Sequence, residues 1–209
     1  MGALAGAGKT TVFKQLQAAC RAKGVMIQCC AATTLAALLF EGATTAHSLF
    51  RYPVIEEIDK DPEYTPQCNL DGSQRLDLLM ATTVIFWDEF PSNDREIFEA
   101  AIQKLEQWTK NKFIFVCAGD FHQILPVVQG GSKQEVIKAC IMSSPYWSKF
   151  HKIKLVENMR VNGLLKSLSN ESTEEERNFV EEQKQYAEFL IDLSASCIRA
   201  AWGRELSEG

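Results

Sequence analysis

The chain has 209 residues, 46% of them hydrophobic, enough to bury one sizeable core in a single domain or a domain with an appendage. A net charge of −5 at pH 7 and a pI near 5.3 exclude a protein that coats nucleic acid by bulk positive charge, leaving room only for a local basic groove. No stretch reads as a membrane span or a cleavable signal peptide. Seven cysteines without a CxxC pair or regular spacing indicate free thiols in a reducing compartment, not a disulfide framework or metal cluster.

The chain opens on Ala3-Leu4-Ala5-Gly6-Ala7-Gly8-Lys9-Thr10-Thr11, which reads as a phosphate-binding loop. Small residues at 5–8 let the backbone wrap a polyphosphate with its N–H groups inward, and the segment that follows can start a helix whose N-terminus favours negative charge. Gly6, Ala7, Gly8, Lys9, Thr10 and Thr11 are the nucleotide-binding candidates; Lys9 would hold the outer phosphates and Thr10 would place its hydroxyl on Mg²⁺. The pattern G-x-x-x-x-G-K-S/T has Ala3 in its first position, a swap costing about 1 kcal/mol if φ must be positive there. A phosphate loop normally leaves a buried parallel strand, yet only two residues precede Ala3, so the strand that should carry it is expected to be missing and the N-terminus cut short.

Val12, Phe13, Leu16, Ala19 and Cys20 recur at helical spacing up to a stop at Gly24. Residues 25–30 then read as a short buried strand and 33–40 as an Ala/Leu-rich helix ended by Gly42. Thr33 and Thr34 fall at the carboxyl end of that strand, where open α/β sheets bind ligands, although either would equally serve as a helix cap. By residue type alone, His47 is a hydrogen-bonded structural group and Phe50 a core ring. Residues 51–73, with three prolines and no period, read as an irregular connection. A helix over 74–80 should turn Leu76, Leu79 and Met80 inward, ahead of a strand over 84–87.

That strand ends in Asp88-Glu89. An acidic pair there is what an NTPase requires, Asp88 to hold Mg²⁺ and Glu89 to orient and polarise the attacking water. Asn93 with Glu96 reads as a helix cap before an apolar face of Ile97, Phe98, Ala101, Ile102, Leu105 and Trp108. A third strand over 113–118 precedes Gln123, a polar amide placed either to sense the γ-phosphate or as a plain turn residue, with Asp120 as a cap. A weak helix over 135–141, an aromatic turn over 145–150 and a strand over 152–155 lead to Arg160, a candidate for transition-state charge or a surface ion pair. From Glu171 the composition turns acidic, with Phe179, Tyr186, Phe189, Leu190 and Leu193 at roughly heptad spacing on an amphipathic helix.

The ordered set A-G-A-G-K-T, A-A-T-T-L-A-A-L-L with T-A-H-S-L-F, V-I-F-W-D-E-F-P, A-G-D-F-H-Q-I-L-P-V-V and L-V-E-N-M-R resembles the Pif-one-type 5′-to-3′ DNA helicases, including their transposon-encoded relatives, over about Ala3 to Arg160. The resemblance implies an α/β, RecA-like P-loop NTPase with a mostly parallel sheet and helices on both faces. It implies ATP and Mg²⁺ as cofactors, single-stranded DNA as partner, no membrane, and roles in DNA repair, recombination and telomere maintenance, in the nucleus or alternatively the mitochondrion. Carried over by position, Lys9, Asp88, Glu89, Gln123 and Arg160 would be catalytic, with Gln123 coupling the γ-phosphate to DNA and Arg160 reaching it across the motor cleft. Thr33, Thr34, His47 and Phe50 would contact the strand through hydroxyls, amides and stacking. The implied organisation is a lobe over 1–162 and an acidic helical tail over 163–209, with the second motor lobe absent. An inactive fragment and a non-helicase P-loop NTPase, such as a kinase or a GTPase-like switch, remain the alternatives. Glu89 beside Asp88 and the lack of N-K-x-D weigh against the kinase and the switch.

Overall fold

Four parallel strands in the order β3-β2-β4-β5 carry the molecule: β2 (Ile27–Ala31), β3 (Thr44–Thr45), β4 (Val84–Asp88) and β5 (Ile114–Cys117). The structure, a computed structural model, describes residues 2–3, 6–52, 67–108, 113–121, 126–169 and 172–202. Every residue of β4 is buried, as expected of a central strand covered on both sides. Successive side chains point to opposite faces and so feed two cores. Ile85 and Trp87 join Leu49, Phe50, Leu79, Phe98 and Leu105 from α3 (Ala46–Phe50), α4 (Gln74–Ala81) and α5 (Arg95–Trp108). Val84 and Phe86 join Phe13 of α1 (Lys9–Ala22) on the other face. Helices on both faces of a parallel sheet are the α/β arrangement the sequence implies.

Ahead of the loop, the strand expected to be missing is represented by two residues. β1 (Gly2–Ala3) pairs in parallel with β6 (Lys154–Leu155), Gly2 opposite Lys154 and Ala3 opposite Leu155. Among the described residues only Arg51 and Glu89 combine a side chain with positive φ, so Ala3 carries no left-handed penalty.

Several faces differ from those read off the sequence. On α1 the buried side chains are Phe13 and Gln17, whose Nε2 donates to Cys29 Sγ at 3.1 Å, while Leu16 is 41% exposed. The buried Gln17 amide thereby has a partner, and the sheet covers the Phe13–Gln17 side of the helix in place of the Leu16 side. Met80 likewise faces outward, with Leu79 alone fully buried on α4. The helix expected over 33–40 closes after one turn as α2 (Thr34–Ala37). The cap of α5 is Asp94, whose carboxylate accepts from the Glu96 N–H at 2.9 Å; Asn93 is buried instead. Ser132 and Glu135 form a reciprocal capping box on α6 (Lys133–Ala139). The acidic helix α8 (Glu174–Trp202) packs on α7 (Met159–Ser167) and buries Val180, leaving Phe179, Tyr186 and Phe189 of the expected apolar stripe exposed. No described helix is long and apolar enough to cross a membrane. Cys20, Cys29, Cys30, Cys68, Cys117 and Cys140 are free thiols, and burial pushes that of Cys29 up to about 11.

Gly119, just past β5, matters through closeness of approach. A Cβ there would stand 2.0 Å from Pro91 Cδ and 2.6 Å from Pro91 Cγ, in the turn Phe90–Ser92 that follows the acidic pair. The Phe90 N–H donates to Ala118 O at 2.9 Å, so the turn cannot retreat without breaking that bond. Gly119→Ala is expected to cost about 1–3 kcal/mol in urea unfolding through overpacking. Because Glu89 begins the displaced turn, hydrolytic activity should fall further than the folded fraction does.

Candidate active site

Parallel register assembles the site. Ala31 lies opposite Asp88 on one side and opposite Thr45 on the other, so β4, β2 and β3 end level. The residues leaving their carboxyl ends, Glu89, Ala32-Thr33 and Ala46-His47, therefore form a row about 4.8 Å apart per strand, at the edge where open sheets bind ligands.

Beside this row lies the phosphate loop. Gly6 (φ +81) and Gly8 (φ +85) adopt the left-handed backbone that lets the loop turn tightly, and Gly8 caps α1 with no side-chain bond. Lys9, Thr10 and Thr11 are the first residues of α1, where the helix dipole and unpaired N–H groups face an anion. Ala7 is buried beneath the loop.

Asp88 is 5% exposed, and its Oδ1 has no hydrogen-bond partner. Burial pushes its carboxyl above the usual carboxylate range; the Glu89 main-chain N–H and the Lys9 charge pull it back, and the Glu89 charge pushes it up. A buried, cation-seeking oxygen next to Lys9 and the Thr10 helix turn fits a hard divalent ion that also holds phosphate oxygens. Asp88 and Thr10 are the residues that would hold Mg²⁺. Among the described residues there is no cluster of three or more His, Cys, Asp or Glu that could hold a metal ion by itself. Glu89 has φ 48 and ψ 34, an uncommon backbone for a non-glycine residue, and its Oε2 accepts from Thr33 Oγ1 at 3.3 Å.

Arg160 stands in the first turn of α7. A Cβ on Gly6 would meet Arg160 Cδ at 3.3 Å and Asn158 Oδ1 at 2.9 Å, and the Met159 N–H donates to Gly6 O at 3.0 Å. Asn158, which the sequence reading passed over, holds this arrangement by capping α7, its Oδ1 accepting from the Arg160 and Val161 N–H groups. The signal was present as Asn ahead of Met159, Val161, Leu164 and Leu165 at helical spacing.

Of the strand-contact candidates, Thr33 and Thr34 are exposed at the start of α2, with Thr33 as its cap. His47 is exposed on α3 against Tyr52, and partial burial holds its imidazole below the usual pKa, neutral at pH 7. Phe50 is a correction: it is wholly buried, its ring stacked on Trp87 at 5.5 Å, so no face of it is open to a base. Gln123 lies outside the described residues.

The fold matches Bacteroides sp Pif1 in complex with ADP-AlF4 over 84% of this chain and 43% of that one, at 23% identity and TM-score 0.58. Against the Candida albicans Pif1 helicase the values are 85%, 42%, 23% and 0.59, and against Bacteroides Pif1 bound to ssDNA 87%, 45%, 22% and 0.55. The chain thus spans less than half the length of those proteins, and at such identities the likeness establishes the RecA-like fold. A sequence search of curated proteins found no match. The model of the PIF1-like helicase family matches residues 1–191, through α7 and into α8. With that match spanning most of its length, the chain belongs to the PIF1-like helicase family.

Proposed function

We propose that this chain is the first motor lobe of an ATP-dependent DNA helicase, in which hydrolysis of ATP drives 5′-to-3′ translocation on single-stranded DNA. The observation that carries the reading is the buried Asp88 carboxylate, one oxygen unpaired, beside Lys9 and followed by Glu89. The loop amides and Lys9 bind and orient the phosphates, and Mg²⁺, held by Asp88 and Thr10, supplies charge neutralisation when bound. Glu89 orients the attacking water and takes its proton as the water oxygen bonds to the γ-phosphorus and the bond to the ADP oxygen opposite it breaks, giving ADP and phosphate. Arg160, lying over Gly6, is placed to add positive charge at the loop. Gln123 is proposed to link the γ-phosphate to DNA. Thr33, Thr34 and His47 supply hydroxyl and imidazole contacts to the strand, which need little net positive charge. The division into a lobe over 1–162 and a helical tail over 163–209, with the second lobe lying outside this chain, belongs to the proposal. So do roles in DNA repair, recombination and telomere maintenance in the nucleus or mitochondrion, which rest on the resemblance alone.

The test is ATP hydrolysis by the purified chain with and without oligo-dT. Stimulation by the oligonucleotide is the expected result. Hydrolysis that DNA leaves unchanged would favour a P-loop NTPase without strand coupling, and would overturn the translocation reading.

A further inference from the structure

Thr33 stands in the middle of the row, between the candidate strand contact His47 and the water-activating Glu89, and the one donor of its hydroxyl is in use. The Ala36 N–H donates to Thr33 Oγ1 at 3.2 Å, and the Thr33 Oγ1 hydroxyl donates its one hydrogen bond to Glu89 Oε2 at 3.3 Å. The main chains on both sides are fixed. The Ala32 N–H donates to Asp88 O at 3.1 Å, extending the β2–β4 ladder past Ala31, and the Ser92 N–H donates to Glu89 O at 3.0 Å, closing the turn that holds Glu89 at φ 48. With its backbone pinned, Glu89 has only side-chain torsions left. Among the described residues, the Thr33 hydroxyl is the hydrogen-bond donor recorded for its carboxylate.

We infer that Thr33 is a positioning residue that couples strand binding to hydrolysis by donating its one hydrogen bond either to Glu89 or to an acceptor on bound single-stranded DNA. The inference rests on the proposed function and deepens it. A hydroxyl donates one hydrogen bond, so an acceptor on the strand that takes it leaves Glu89 Oε2 without its donor. The carboxylate is then free to swing toward the attacking water. In the strand-free protein the same bond holds the carboxylate aside and keeps basal hydrolysis low. Linkage makes the coupling reciprocal: if the strand must break the Thr33–Glu89 bond, that bond must weaken strand binding by the same factor.

The reciprocity gives a test that needs no turnover. In the full chain without nucleotide, affinity for fluorescein-labelled oligo-dT is measured by anisotropy in a double-mutant cycle. Glu89→Asn suits the left-handed backbone and is one methylene too short to reach Thr33. It is expected to tighten binding about fivefold, the scale of one exposed charge-assisted hydrogen bond. In a Thr33→Val background that gain should vanish, and in a Thr33→Ser background it should return. A gain of equal size with Thr33 intact and in the Thr33→Val background would be a charge effect and would overturn the inference while leaving the proposed function standing. Failure of the unmodified chain to bind oligo-dT would overturn the proposed function and the inference with it. Should the valine substitution not fold for want of a cap on α2, Thr33→Gly removes the same hydroxyl at little cost to capping. As a second readout, Thr33→Val should raise basal hydrolysis and bring the ratio of DNA-stimulated to basal rate toward one.

Discussion

Lys9→Ala is expected to lower ATP hydrolysis by about 100- to 1,000-fold, the scale on which removal of a preorganised electrostatic contact is felt. Lys9 is the one cationic side chain on the loop, and it follows directly on Gly8, whose left-handed backbone delivers it at the start of α1. The loop amides survive the substitution, so nucleotide binding should weaken less than turnover does. The fold should persist, because Lys9 is only half-buried and its loss empties no core site. One consequence separates this site from a simple anion trap. The Lys9 charge is among the influences that pull the Asp88 carboxyl down against burial; without it Asp88 protonates at a higher pH. Whatever hydrolysis survives in the variant should therefore lose its acid limb at a higher pH than the unmodified chain does. An unshifted limb would mean that Lys9 and Asp88 act on the nucleotide independently.

How far the sequence could be read depended on the kind of interaction. The strand over 84–87 and the acidic pair behind it were legible because a strand buried on both faces must be continuously apolar, and ends where its register ends. Lys9 and Gly8 were legible for a similar reason: a loop that wraps a polyphosphate restricts residue type at every step. Phe50 was misplaced among the DNA contacts because a motif fixes a residue's neighbours in sequence, whereas the Trp87 ring it stacks on comes from β4, far along the chain. The outward turn of Leu16 and Met80 has the same origin, since helical spacing names a face and the sheet decides which one it covers. Gly119 needs glycine because Pro91 crosses it, a contact between segments with no local signature. Thr33 shows the limit most sharply. Its two readings, helix cap and ligand contact, looked like alternatives in sequence; one oxygen serves the cap while its hydroxyl donates to Glu89.

Asp88→Asn is expected to abolish Mg²⁺-dependent hydrolysis while making the empty protein more stable. The carboxylate is 5% exposed, and Oδ1 has no partner, so its ionised form is held at a cost to the fold. The direction with pH follows from the raised folded-state value. Below the ordinary carboxylate range both folded and unfolded chains are protonated and Asp88 costs nothing. As pH rises from the ordinary value of 3.8 toward the higher folded value, the unfolded chain ionises first. Stability then falls through this group, and the full penalty is present at neutral pH. An amide of the same shape still leaves a polar atom unpaired but removes the charge, and a gain of about 1–2 kcal/mol is expected, part of the several kcal/mol that burying an ion costs. For a chain of this length that corresponds to a rise of about 2–8 °C in melting temperature at pH 7, shrinking as the pH is lowered. With Mg²⁺ and ATP present the order should reverse. Ligand at about 100 times its Kd stabilises the unmodified protein by about 2.7 kcal/mol, whereas the variant, lacking its cation ligand, should gain much less. A variant that melts below the parent in the absence of nucleotide would mean that the Asp88 charge holds the fold together. Stability given up at Asp88 in the empty state and regained on binding would instead mark that oxygen as kept for a ligand.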